Sequence, residues 1–104
     1  MNLLITVKVS AAFALRRKVA IVTGGTRGIG FGISEALAKK KYDLLLSYNS
    51  DYEAAMDSSE YLQKKYNCRV ELFSGDITLK STRKKLFKRY DLAYKNSHIL
   101  GVVV

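Results

Sequence analysis

The stretch Thr23-Gly24-Gly25-Thr26-Arg27-Gly28-Ile29-Gly30 gathers four glycines, two hydroxyls and one cation into eight residues. Small side chains leave backbone N–H groups open to approach, and groups so exposed bind anions, phosphates above all. Gly24 can take the positive φ that turns a chain sharply off the end of a strand. Gly28 and Gly30 lack a Cβ, so backbone can come close to a pyrophosphate and a following helix can pack against the strand before it. The N–H groups of that helix's first turn, around Ile29 and Gly30, would face the phosphates with the positive end of the helix dipole behind them. Thr23, Thr26 and Arg27 add hydroxyls and a guanidinium at the same mouth.

Such a loop counts only where a strand leads into it and a helix leads out. Lys18-Val19-Ala20-Ile21-Val22 is a short apolar, β-branched run and predicts a buried parallel strand. Ile33, Ala36, Leu37 and Ala38 then follow a helical spacing, in a helix predicted to reach about Lys41. The spacing T-G-x-x-x-G-x-G, preceded by Lys-Val-Ala-Ile-Val, resembles the cofactor loop of the short-chain dehydrogenase/reductase family, closest to its 3-oxoacyl-(acyl carrier protein) reductase type. The resemblance covers about residues 18–104. The family's domain is longer, in the range of roughly 250 residues.

The resemblance implies a nicotinamide dinucleotide as cofactor, and it gives positions their roles. An acid at the end of the second strand would bind the ribose hydroxyls and repel a 2′-phosphate. That position falls on Tyr48, flanked by Asn49 and Ser50, with Arg27 beside the same pocket. Neutral donors and a cation favour NADP(H) over NAD(H). Asp76 and Ile77, after the third strand, take the place of residues that meet the adenine ring in proteins of this kind. The implied site is therefore Thr23, Gly24, Thr26, Arg27, Gly28, Ile29, Gly30, Tyr48, Asn49, Ser50, Asp76 and Ile77.

No catalytic residue is assigned. The family's proton-transferring tyrosine, with a lysine four residues on, belongs to a later segment than Val104. Tyr61 and Lys65 have that spacing by coincidence, on a helix of the adenosine side. His98, the single histidine, reads as a surface residue near a helix C-terminus. Cys68 is the single cysteine, so no internal disulfide forms, and no cysteine/histidine cluster points to a metal.

The elements that must position the loop follow in order. Leu44–Tyr48 predicts a second buried strand, and Asn49, Ser50 and Asp51 a turn and helix cap. Ala54, Ala55, Tyr61, Leu62 and Tyr66 mark an amphipathic helix, and residues 69–74 a third strand. A helix over residues 81–95 and a strand from Ile99 to the end complete a β-α-β-α-β-α-β order. The expected fold is α/β, with right-handed crossovers making the sheet parallel, and the family resemblance implies a partial Rossmann-like doubly wound sheet with strand order 3-2-1-4. The first two helices would cover one face and the third the other.

The chain has 104 residues, enough for one domain, divided here into an N-terminal extension, 1–17, and a dinucleotide-binding part, 18–104. Net charge is +9, with seven cations and only Asp91 after residue 77. No nucleic-acid motif accompanies that charge, so it reads as a solvated helix face and a field attractive to a polyanionic cofactor. No apolar run is long enough to span a membrane. The cytoplasm is the expected compartment, and the acid-free extension is compatible with mitochondrial import. Two functions stand at this point. One is an NADP(H)-dependent oxidoreductase acting on a small carbonyl or alcohol substrate, homo-oligomeric as the family usually is, of which this is the cofactor-binding half. The other is a truncated, non-catalytic nucleotide-binding or interaction module.

Overall fold

The computed structural model describes residues 17–104; the extension and the mitochondrial reading lie almost wholly outside them. Four strands alternate with three helices: β1 (Lys18–Val22), α1 (Gly28–Lys39), β2 (Asp43–Tyr48), α2 (Tyr52–Tyr66), β3 (Val70–Ser74), α3 (Lys80–Ala93) and β4 (Ile99–Val103). The sheet is parallel throughout, in the order β3-β2-β1-β4. This is the expected order, and it puts the reversal of winding between β1 and β4.

Continuous apolar runs suit strands covered on both sides. Val19 to Val22 and Leu44 to Leu46 are all but inaccessible to solvent. Their side chains alternate between two cores. Ala20, Val22, Leu44 and Leu46 pack with Ala38 of α1 and Leu62 of α2. Val19, Ile21 and Leu45 pack with Leu86 of α3 and with Tyr94 on the other face. Tyr94 is fully buried, and its hydroxyl donates to the carbonyl of Leu44 at 2.8 Å. Burial pushes this phenol's pKa far up. β4 pairs with β1 through a register shift at Gly101 and remains partly exposed along Ile99, Leu100 and Val103.

The elements differ from the sequence reading at their ends. α1 stops at Lys39, two residues before the expected end, because Lys41 turns into the left-handed region at φ 72°. There the N–H groups of Lys40, Lys41 and Tyr42 close the helix on the carbonyls of Ala36, Leu37 and Ala38. α3 runs over Lys80–Ala93 rather than 81–95, and β2 begins one residue early, at Asp43.

His98 is a larger correction. Its side chain is only 10% exposed, with Nε2 2.6 Å from Asp43 Oδ2. Its ring meets Tyr94 edge-on, centroids 4.6 Å apart. Asp43 also receives the N–H of Arg69 at 2.8 Å and pairs with Arg17 at 3.1 Å. The parallel sheet sets the starts of β2 and β4 at the same end, which brings together residues 55 apart in sequence.

Candidate dinucleotide site

The glycine-rich loop leaves β1 at the opposite, C-terminal end of the sheet, where open α/β sheets bind ligands. It is held on every side. Thr23 donates both its N–H and its hydroxyl to the carbonyl of Val104, at 3.0 and 2.9 Å. Gly24 N–H donates to Ser47 Oγ at 3.1 Å, and Gly25 N–H to the Ser47 carbonyl at 3.2 Å. Ser34, fully buried in α1, donates to the carbonyl of Gly25 at 2.8 Å, with that of Gly30 at 3.0 Å. Ser58 of α2 donates to the Thr26 carbonyl at 2.7 Å.

Gly24 and Gly28 have φ of 63° and 54°. Gly30 is required for a different reason: a Cβ there would lie 1.9 Å from the Gly24 carbonyl oxygen. α1 therefore starts pressed against the loop. It has no side-chain cap and no acid in its first turn, and its first helical bond runs from Phe31 N–H to the Arg27 carbonyl. The N–H groups of Gly28, Ile29 and Gly30 precede that bond, at the positive end of the helix. The Ile29 side chain is 88% exposed beside them.

Two adjoining clefts open off the loop. One, of about 350 Å³, is lined by Gly24, Thr26, Arg27, Tyr48, Asn49, Ser50 and Asp51. The other, of about 190 Å³, is lined by Gly24, Ser47, Tyr48, Asn49, Gly75, Asp76 and Ile77. The sheet thus joins three separate segments of the expected site, those after β1, β2 and β3. Thr23 lies outside both linings with its hydroxyl committed to Val104; Gly28, Ile29 and Gly30 lie at the α1 terminus. Asp76 Oδ1 takes the N–H and the hydroxyl of Thr78, at 3.0 and 2.6 Å, and these bonds hold the carboxyl below its ordinary range.

Asp51 is where the sequence reading placed it, capping α2 by accepting the Ala54 N–H at Oδ1, 3.0 Å away. Its second oxygen does something unforeseen: Oδ2 takes a charge-assisted bond from Arg27 Nη1, also at 3.0 Å. The Ala54 N–H, and after it Arg27, hold the Asp51 carboxyl below the usual range. Ser34 and Ser58 were also missed; the trace they leave in the sequence is a small hydroxyl among the inward positions of a helix.

Tyr61 and Lys65 do meet, with Nζ donating to the phenol at 2.8 Å, but on the exposed side of α2 and outside both clefts. Among the described residues no group of three or more His, Cys, Asp or Glu side chains could hold a metal ion, and no helix is long and apolar enough to cross a membrane.

A parallel sheet with this strand order, and a glycine loop leading from its first strand into a helix, define a dinucleotide-binding α/β fold. The family model for short chain dehydrogenases matches residues 18–102, and the chain belongs to that family. An uncharacterized oxidoreductase of Bacillus subtilis, YmfI, is 38% identical over 69 residues, which are 66% of this chain and 28% of that protein. A probable NADP-dependent mannitol dehydrogenase of Yarrowia lipolytica is 38% identical over 66 residues, 64% of this chain and 23% of the relative. Among solved structures, the alcohol dehydrogenase of the archaeon Thermococcus sibiricus, complexed with 5-hydroxy-NADP, superposes with a TM-score of 0.74 at 25% identity over 84% of this chain and 35% of its own. The chain thus spans about a quarter of the length of the curated relatives it matches.

Proposed function

We propose that residues 18–104 are the cofactor-binding part of an NADP(H)-dependent oxidoreductase that reduces a carbonyl or oxidises an alcohol. The bound nicotinamide would supply or accept the hydride. The chain's own residues bind and orient it: the α1 terminus and the glycine loop hold the pyrophosphate, the Asp76–Ile77 side takes the adenine, and Arg27 with Tyr48, Asn49 and Ser50 takes the 2′-phosphate. The observation that carries this reading is the larger cleft, where β2 ends on a tyrosine and two neutral donors and the loop supplies a guanidinium. The fit extends to the backbone, since Gly30 leaves no room for a Cβ and α1 starts without a side-chain cap. The NADP-dependent relative supports the cofactor choice. A small carbonyl compound is the substrate class, and 3-oxoacyl thioesters are the first to assay, on the likeness of the loop.

Calorimetric titration of NADPH and NADH tests it. Losing a charge-assisted contact costs on the order of 1.5–3 kcal/mol, roughly tenfold to a hundredfold in affinity. Arg27→Ala should weaken NADPH by that factor and NADH far less. Tyr48→Asp should turn the preference toward NADH by placing a charge against the 2′-phosphate. A wild type that prefers NADH, or an Arg27→Ala variant that loses both cofactors equally, refutes the assignment.

A further inference from the structure

Arg27 does not stand free in the cleft. Its Nη1 lies 3.0 Å from Asp51 Oδ2, so the cation that would attract a 2′-phosphate already has a carboxylate beside it. Both residues line the same cleft of about 350 Å³. Its one cation and its one acid offset each other, and a dianion entering there gains the full attraction of the guanidinium only when the pair separates. The pair is exposed, with the two side chains 68% and 46% accessible, so separating it is cheap. The loop itself need not move. Its backbone is tied to α2 independently by the Ser58 bond to the Thr26 carbonyl, and only the arginine side chain has to swing.

We propose that Asp51 is a specificity-setting residue: it parks Arg27 against the start of α2, competes with the 2′-phosphate for the guanidinium, and so narrows the margin of NADP(H) over NAD(H). This rests on the cofactor reading above and deepens it. Asp51 is fixed in place by its other oxygen, which caps the Ala54 N–H, so the carboxylate cannot retreat from the cleft without uncapping α2. NAD(H), with a neutral 2′-hydroxyl, has no stake in the competition and binds with the Arg27–Asp51 pair intact.

The test is Asp51→Asn, which removes the charge and keeps a side-chain oxygen of equal capping strength, so α2 should fold as before. NADPH and NADH are titrated by calorimetry against wild type, Asp51→Asn, Arg27→Ala and the double variant, at low and high salt. Exposed pairs of this kind typically correspond to a few-fold change in affinity. Asp51→Asn should therefore bind NADPH about twofold to fivefold more tightly, with NADH unchanged within about 1.5-fold. The gain should vanish when Arg27 is already alanine, and shrink at high salt. Weaker NADPH binding by Asp51→Asn would show that the carboxylate orients the arginine instead of withholding it, and would overturn the proposal. An unchanged ratio of the two cofactors, or a gain that persists in the Arg27→Ala background, would overturn it as well. These failures are distinguishable from failure of the cofactor reading, in which wild type binds neither dinucleotide or Arg27→Ala leaves the preference untouched; either of those defeats both.

Discussion

Gly30 and Gly32 lie two residues apart on α1, and the same substitution should have opposite effects at the two. A Cβ on Gly30 would stand 1.9 Å from the Gly24 carbonyl oxygen, 2.7 Å from its carbon and 3.2 Å from Gly25 Cα. All three are loop backbone, and none can rotate aside as a side chain could. Ordinary contact starts near 3.4 Å, so helix and loop would have to part by about 1.5 Å. Overpacking of this sort costs about 1–3 kcal/mol, and a backbone obstacle belongs at the upper end. The helix-propensity gain from glycine to alanine, about 0.8–1 kcal/mol, offsets part of it. The expected net loss for Gly30→Ala is about 2 kcal/mol, or a fall in Tm on the order of 10–15 °C. Gly32 has nothing within 4 Å of a new Cβ, so Gly32→Ala should keep the whole propensity gain and raise Tm by about 4–8 °C. Thermal melts followed by far-UV circular dichroism, with urea titrations to check that the slope is unchanged, compare the two. If Gly30→Ala melts within about 3 °C of wild type, or the two variants move in the same direction, the close approach of α1 to the loop does not carry the weight assigned to it.

Three further outcomes are expected. Tyr94 has a raised phenol pKa, so the protonated form is the one the fold holds; stability is full below the unfolded value near 10 and falls as pH rises past it. Tyr94→Phe should lose about 1 kcal/mol at neutral pH with its bond to Leu44 and should show less alkaline destabilisation, read by urea melts from pH 7 to 11. Lys41→Gly should stabilise the end of α1 by on the order of 1 kcal/mol, because φ 72° strains any residue with a Cβ; a lower Tm would contradict this. Ser34→Ala should cost about 1 kcal/mol and should weaken NADPH and NADH alike, since its hydroxyl holds loop carbonyls and not a cofactor-specific group; a selective loss of one cofactor in calorimetry would contradict that.

The strands and the loop were legible because they rest on local patterns, and the strand order followed from the family that the loop resembles. Apolar runs in β1 and β2 and the glycine spacing mark the elements, and the handedness of crossovers makes the sheet parallel. The Asp51 cap was legible for the same reason: it acts on Ala54, three residues on. What escaped acts at long range. The Arg27–Asp51 pair spans 24 residues, the Ser58–Thr26 bond 32 and the His98–Asp43 pair 55, and no periodicity connects their ends. His98 was misread because a polar stretch at the end of a helix resembles a surface turn, while the parallel sheet folds it onto the start of β2. Lys41 hid its backbone conformation because the usual marker of a left-handed helix end is glycine or asparagine, and it is neither.

The bare start of α1 links ligand to stability. α2 has Asp51 as its cap and Glu53 in its first turn; α1 has neither, although it packs directly on the loop that leaves β1. An anion that binds the N–H groups of Gly28, Ile29 and Gly30 therefore acts as that helix's N-cap, contributed from solution instead of from the chain. Through mass action the protein then gains stability from its ligand as RT ln(1 + [L]/Kd), about 2.7 kcal/mol at a hundredfold excess over Kd. On the proposed reading the loop thus couples stability to cofactor concentration: bound dinucleotide would hold this helix end shut, and withdrawing it would remove that support.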